Sequence, residues 1–87
     1  MQDAPTIEID VIFFARAREL AGGSSARMTL PAGTTVAAAA ADIERRFPGL
    51  GAILGSCRFA LNEEFAAGSD LVPDHSVLAV IPPVSGG

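Results

Sequence analysis

Lysine, tryptophan and tyrosine are absent from this 87-residue chain, and cysteine occurs once, at Cys57. A single thiol cannot form an internal disulfide, and it suits a reducing compartment, so we expect a cytoplasmic location. All six basic residues are arginines, and no more than two of them are adjacent. Because the chain has no basic cluster, we expect no nucleic-acid partner. Without lysine, the chain also cannot build lysine-linked chains on itself.

Long hydrophobic runs are missing as well. The longest strictly aliphatic run, residues 36–41, is far shorter than the roughly 20 residues of a membrane-spanning helix. Residues 1–10 carry acid rather than base, so we expect neither a signal nor a transit peptide, and no membrane partner. Hydrophobic residues nevertheless make up 49% of the chain, which excludes disorder. This length predicts a single domain over residues 1–87.

The balance of charge is acidic, with a net charge of -4. An acidic surface suits a basic protein partner, although solubility alone would also explain it. Charge therefore leaves the class of partner open.

A first strand is predicted over residues 7–14, where apolar side chains recur at every second position. Its opposite face begins acidic and becomes apolar at Ile12 and Phe14. Such a patch indicates an interface, and the alternative is that the helix or the chain end covers it. The residues predicted to face the core are Ile7, Ile9, Val11 and Phe13.

The rest of the pattern predicts an α+β fold. A short helix is expected from residue 15 to the glycines at 22 and 23, and the main helix follows a turn at 31–33 and stops at Pro48. Thr34 or Thr35 can cap it. A single long helix across a mixed sheet is the simplest way to bury these faces. Further strands are predicted at 26–30, 57–61, 64–66 and 77–81.

Some apolar residues outside the strands are also expected in the core. One stripe of the main helix should face the sheet, and Leu71 should fill the core from the loop before the last strand. The residues of that stripe are Val36, Ala39 or Ala40, Ile43 and Phe47.

The chain ends in "IPPVSGG". Pro82 ends strand hydrogen bonding, and a Pro-Pro pair favours an extended path, so a flexible tail is expected over residues 82–87. Fully extended, the last five residues reach on the order of 16 Å. Gly86 and Gly87 have no side chains, so the tail could thread a narrow passage and present its carboxylate to another protein. The alternative is an inert terminus.

Four other residues suggest chemistry, and for each we favour a simpler role. Cys57 could carry a persulfide, but a lone cysteine in a strand is more often a small core residue. His75 has no companion ligands, so we expect no metal site. Glu63 and Glu64 are expected to form a solvated turn rather than an acid-base pair.

Four segments together resemble a known family over roughly residues 7–87. They are "FFARARELAG", "LPAGTTV", "ALNEEF" and "VLAVIPPVSGG". They resemble the small, sulfur-carrying subunits of molybdopterin synthase. The resemblance implies a ubiquitin-like β-grasp fold, with a mixed sheet of about five strands and one main helix. One departure is "PDHS", residues 73–76, where the family commonly has a Gly-Asp-Glu turn.

The resemblance also implies the chemistry of the tail. Gly87 would be adenylated by a ubiquitin-activator-like adenylyltransferase that uses ATP, and then thiocarboxylated by a sulfur donor enzyme. The tail would insert into the large subunit and give its sulfur to cyclic pyranopterin monophosphate. The catalytic side chains would belong to the large subunit, within a heterotetramer, and this chain would bind no cofactor. The inserted residues would be Pro82, Pro83, Val84, Ser85 and Gly86.

By position, the family's apolar docking patch would include Phe14, Phe65 and Ile81, with Arg18 at its edge. Three alternatives remain open. The chain could carry sulfur for another product, such as thiamine, cysteine or thiolated tRNA. It could be a ubiquitin-like protein modifier. It could also be a plain interaction module with an inert tail.

Overall fold

The computed structural model describes residues 4–83, so the predictions for Val84, Ser85, Gly86 and Gly87 lie outside the described residues. The five predicted strands are confirmed, and their ends differ from the prediction by one residue at most. The strands are β1 (Thr6–Phe13), β2 (Ser25–Pro31), β3 (Arg58–Leu61), β4 (Glu64–Ala66) and β5 (Val77–Ile81), and the helices are α1 (Ala15–Ala21) and α2 (Val36–Arg46). Two 3-10 turns, Pro48–Ala52 and Leu54–Ser56, follow α2.

The strands form one mixed sheet in the order β2-β1-β5-β3-β4. The pair β1 and β5 at the centre is parallel, and every other pair is antiparallel. The first and last strands of the chain are therefore neighbours. This is the ubiquitin-like β-grasp arrangement, and it confirms the predicted α+β fold.

The core lies between one face of the sheet and α2. The predicted inward residues of β1 are all buried, and Val36, Ala39 and Ile43 of α2 pack in the same cluster. Ala39 rather than Ala40 is fully buried. Phe47 is half-buried just after α2, and its ring meets that of Phe13 edge-on at 5.1 Å. An edge-on contact of this kind is a favoured aromatic geometry.

The ends of the helices follow from local chemistry. Thr35, not Thr34, caps α2, because its Oγ1 accepts from the backbone N–H of Ala38 at 3.2 Å. The helix α1 ends at Gly22, whose φ of 78° is the left-handed conformation typical of a helix end. At Gly49 any side chain is excluded, because a Cβ there would lie 2.7 Å from the carbonyl oxygen of Leu20.

The prediction for Leu71 is wrong. Its side chain is 63% exposed, and Val72 is buried instead. The backbone explains the difference, because Leu71 forms an isolated bridge with Thr35 and the N–H of Val72 donates to the carbonyl of Thr34. These bonds fix the alternation of the loop so that Val72 points inward.

The prediction that Cys57 opens the third strand is wrong by one residue. The backbone N–H of Cys57 donates to the carbonyl of Leu54, which closes a 3-10 turn, and β3 begins at Arg58. Within residues 4–83, no helix has the length and the apolar run that crossing a bilayer requires.

Candidate functional site

The face of the sheet opposite α2 carries a groove, which we call the docking groove. Its floor follows one row of four residues across the strands, and the two in the middle are small. Phe65 on β4 pairs with Ala60 on β3. Ala60 pairs with Ala79 on β5, and Ala79 pairs with Ile12 on β1. Because two alanines stand in the middle of this row, the sheet is low at its centre and higher at both ends.

The groove is apolar and about 510 Å³ in volume. Ala60 and Ala79 are only 6% and 7% exposed, although no helix among residues 4–83 covers this face. The larger side chains around them are open to solvent, and Phe14 and Phe65 are 47% and 62% exposed. Large exposed apolar side chains around a concave floor are a common feature of protein-binding surfaces.

The structure brings together three of the four residues predicted for a partner interface. Phe14, Phe65 and Ile81 all line the docking groove. Arg18 lies exposed on α1 and is not one of the lining residues. Neither the predicted helix nor the described part of the tail covers the patch. The interface role of all four residues stays a prediction.

The floor of the groove, Ala60 and Ala79, was not predicted from the sequence. A signal was present, because all five residues of β5 are apolar. A strand that is apolar at every position indicates two covered faces, and here the second face is the groove. Val77 and the turn residues Asn62 and Glu63 complete the lining and were also not predicted.

The charges on this face are unevenly placed. Near the start of β1, the Nε of Arg27 lies 3.1 Å from a carboxylate oxygen of Asp10, and its Nη1 lies 3.7 Å from Glu8. These acids stand on the open face, as the alternation of β1 predicted. Near the end of β5, the guanidinium of Arg58 stacks over the ring of Phe65. The open face is therefore acidic and polar at one end, and apolar with a cation at the other.

The tail begins at this second end of the groove. The strand β5 ends at Ile81, directly before Pro82, as predicted. Ile81 pairs with Arg58 on β3, and the N–H of Phe14 donates to the carbonyl of Val80 at 3.2 Å. Any protein that covers the groove would therefore also lie beside the root of the tail.

The turn between β3 and β4 holds strain beside the groove. Asn62 and Glu63 both have positive φ, 50° and 74°. Two-residue turns with this geometry favour Asn followed by Gly, so the asparagine fits and the glutamate does not. The side chain of Asn62 also accepts from the N–H of Val77 at 2.9 Å, which ties the turn to β5.

Replacing Glu63 by glycine should stabilise the protein. Glycine adopts positive φ without a Cβ clash, so we expect Glu63→Gly to raise the free energy of unfolding by about 0.5–1 kcal/mol. Glu64→Gly is the matched control, because Glu64 is in β4 and glycine weakens a strand by about 0.5–1 kcal/mol. Urea denaturation of both variants measures the two effects. A loss of stability in Glu63→Gly would show that the backbone at Glu63 is not strained.

Cys57 and His75 are placed as simple structural residues. Cys57 is half-buried against the core, and this burial raises the pKa of its thiol. A raised pKa keeps the thiol protonated at neutral pH, and a protonated thiol is a poor nucleophile. His75 is exposed, with its Nε2 3.4 Å from Asp74. Within the described part of the chain, no three Cys, His, Asp or Glu side chains are grouped as metal ligands would be.

Cys57→Ala is therefore expected to leave any sulfur transfer by this protein unchanged. The thiol is neutral and lies on the core side of the sheet, away from the docking groove, so its loss should affect only packing. Transfer can be measured as the rate of product formation with purified partners. Loss of transfer by a variant that still melts cooperatively would show that Cys57 takes part.

The comparisons with known proteins agree with this geometry. The model of the ThiS family matches residues 11–87. The chain belongs to the ThiS family. A relative of this ThiS-family protein, the molybdopterin synthase sulfur carrier subunit of Arabidopsis thaliana, is 39% identical over 85 residues, which cover 98% of this chain and 88% of the relative.

Solved structures share the same fold. SAMP1 from Haloferax volcanii superposes with a TM-score of 0.83 at 27% identity, over 92% of this ThiS-family chain and 99% of that protein. A chain from the complex of subunits 1 and 2 of molybdopterin-converting factor from Helicobacter pylori superposes with a TM-score of 0.66 at 23% identity, over 93% of this chain and all of that one. These likenesses confirm the β-grasp fold.

Proposed function

We propose that this ThiS-family protein is the sulfur carrier subunit of a molybdopterin synthase. The observation that carries the proposal is the docking groove, which opens beside the root of a Pro-Pro tail ending in Gly-Gly. An apolar groove alone would suit many binding modules. A groove continuous with a tail of this composition suits a protein that delivers its C-terminus to a partner. The relative from Arabidopsis thaliana carries the corresponding name.

The proposed chemistry takes place at the carboxylate of Gly87. An activating enzyme transfers AMP from ATP to this carboxylate, and pyrophosphate leaves. Hydrosulfide supplied by a donor enzyme then attacks the carbonyl carbon, AMP leaves with the bonding electron pair, a proton is lost, and a thiocarboxylate forms. In the large subunit the thiocarboxylate sulfur would form a bond to a carbon of cyclic pyranopterin monophosphate, and water would then cleave its bond to the acyl carbon, which regenerates the carboxylate of Gly87. In that scheme this chain supplies no catalytic side chain and binds no cofactor.

The role of the described residues is docking. The large subunit would cover the docking groove through Phe14, Phe65 and Ile81, with Arg18 at the edge of the interface. Pro82 and Pro83 would then direct the tail, with Val84, Ser85 and Gly86, into the partner's active site. Pairs of such complexes would form a heterotetramer. A cytoplasmic location suits this chemistry, because a free thiocarboxylate and a lone thiol both favour a reducing compartment.

Intact mass spectrometry tests the proposal. The purified chain is incubated with a molybdopterin-type activating enzyme, ATP and a sulfide source, beside a known sulfur carrier as a positive control. We expect a gain equal to the difference between sulfur and oxygen, located at Gly87 by fragmentation. The sulfur should then pass to cyclic pyranopterin monophosphate when the large subunit is added. No gain, with an active control, would contradict the proposal.

A second candidate function is a protein modifier, which the likeness to SAMP1, small archaeal modifier protein 1, favours. A modifier would end as an amide on a lysine of another protein rather than as a thiocarboxylate. The same incubation separates the two functions when an extract of the source organism is added. Covalent conjugates that persist under denaturing, reducing conditions would favour the modifier, and a thiocarboxylate without conjugates would favour the carrier. A sulfur carrier for another product would gain the mass but would not serve the pterin acceptor.

A further inference from the structure

Arg58 contacts the ring of Phe65 beside one end of the docking groove. Its guanidinium carbon lies 3.8 Å from the centre of the ring of Phe65. A cation over an aromatic face is attracted to the ring, although only modestly at an exposed site. In the register of the sheet, Arg58 stands opposite Ile81, the last residue before the tail. A positive charge therefore lies beside both the groove and the root of the tail.

Arg58 is one of three arginines, with Arg18 and Arg46, that form no ion pair among residues 4–83. Arg16, Arg27 and Arg45 each lie within 4 Å of a carboxylate of the same chain. Among residues 4–83, no carboxylate lies that close to Arg58. Its planar face is against Phe65, so the N–H groups at its edge are left to bind an acceptor. The guanidinium edge matches a carboxylate, which it binds through two parallel hydrogen bonds.

Covering the groove makes an acceptor necessary. Phe65 is 62% exposed, and a partner that packs on this ring also removes water from the guanidinium stacked on it. A charge that loses water without gaining a partner costs several kcal/mol. The acids on this face stand at the other end. Arg27 holds Asp10 and Glu8 there, and Glu63 lies in the turn that Asn62 ties to the first residue of β5. The acceptor must therefore come from the protein that covers the groove.

We propose that Arg58, stacked on Phe65, binds a carboxylate of the large subunit at the end of the docking groove where the tail begins. This inference rests on the proposed function, and it adds a charged contact to an apolar interface. The apolar groove supplies affinity for any complementary surface. The Arg58 contact selects a partner with an acid at one position and fixes its orientation relative to the tail.

The test compares two arginines that differ mainly in position. Arg58→Gln removes the proposed contact. Arg46→Gln is the matched control, because Arg46 also lies over a phenylalanine ring, that of Phe47 at 5.9 Å, and no carboxylate among the described residues lies within 4 Å of it. Arg46 is the last residue of α2, on the opposite side of the sheet from the docking groove. Both variants lose one positive charge.

Calorimetric titration with the large subunit of the source organism measures the dissociation constant of each variant. We expect Arg58→Gln to weaken binding about tenfold and Arg46→Gln to leave it within about twofold of the unchanged chain. The unchanged chain should also lose more affinity than Arg58→Gln between about 50 and about 500 mM salt, because salt screens the charged contact. Thermal unfolding should show that both variants remain folded.

The outcomes separate this inference from the proposed function. Equal affinities and equal salt dependence for the two variants would overturn the role of Arg58 while leaving the carrier function intact. Arg58→Leu adds a second check, because leucine retains apolar contact with Phe65 but has no charge. Tight binding by Arg58→Leu would also overturn the inference. If the unchanged chain does not bind the large subunit, both the proposed function and the Arg58 contact are wrong.

Discussion

Deletion of Gly87 is expected to abolish sulfur transfer completely while leaving the affinity for the large subunit within about threefold. The deleted residue would carry the carboxylate that is adenylated and then thiocarboxylated. Its loss leaves Gly86 at the end, so the reacting carbon stops one residue short of its position. One extended residue spans roughly 3.3–3.6 Å. A misplacement of about 1 Å can already cost about 100-fold in rate, so a whole residue should eliminate transfer.

Mass spectrometry and titration measure the two halves of this result. The truncated chain should fail to gain sulfur, or should gain it and fail to deliver it, while still binding the large subunit through the docking groove. One residue added after Gly87 should have the same effect. Ser85→Ala is the control, since it changes a tail side chain without moving the terminus. Full sulfur transfer by the truncated chain would refute the proposal that the carboxylate of Gly87 carries the sulfur.

The fold was predictable because most of its elements have a strong local pattern. The alternation in β1 places every second residue in the core, and all of these residues are buried. The main helix is bounded by Thr35 and Pro48, each of which acts through its own local chemistry. Such signals depend on neighbours in the sequence, so they do not require knowledge of the whole fold.

The docking groove was only partly predictable, because its floor depends on the order of strands. Phe14 was identified from the change in polarity along β1. Ala60 and Ala79 form a floor only because β5 lies between β1 and β3. In this order the last strand of the chain is a neighbour of the first. This order is a long-range property that no local pattern contains. The contact between Arg58 and Phe65 depends in the same way on the pairing of β3 with β4.

The error at Leu71 has a different physical cause. Leu71 was expected to be buried only because its side chain is hydrophobic. The backbone of the loop instead bonds to Thr34 and Thr35, which decides which side chain points inward. Hydrogen bonds of a loop to a distant segment cannot be read from composition. The exposed Leu71 provides a useful control, because it is a large apolar side chain that does not line the docking groove.

Phe65→Ser is expected to weaken binding of the large subunit about 100-fold with little change in stability. Phe65 forms the outer wall of the docking groove and supports Arg58, so one substitution removes an apolar contact and releases the guanidinium. Aromatic residues at the centre of an interface commonly contribute this much to binding. Because the ring is 62% exposed in the free protein, its loss should change the free energy of unfolding by less than about 1 kcal/mol.

Leu71→Ser is the matched control for this change. Leu71 is 63% exposed, almost the same as Phe65, but it lies in the loop before β5 and does not line the groove. The two variants remove a similar amount of exposed apolar surface. If non-specific hydrophobic contact determined binding, both substitutions would lower the affinity for the large subunit equally. We expect calorimetry to find normal affinity for Leu71→Ser, with the loss confined to Phe65→Ser. Equal losses would mean that surface hydrophobicity, and not the shape of the docking groove, determines binding of the large subunit.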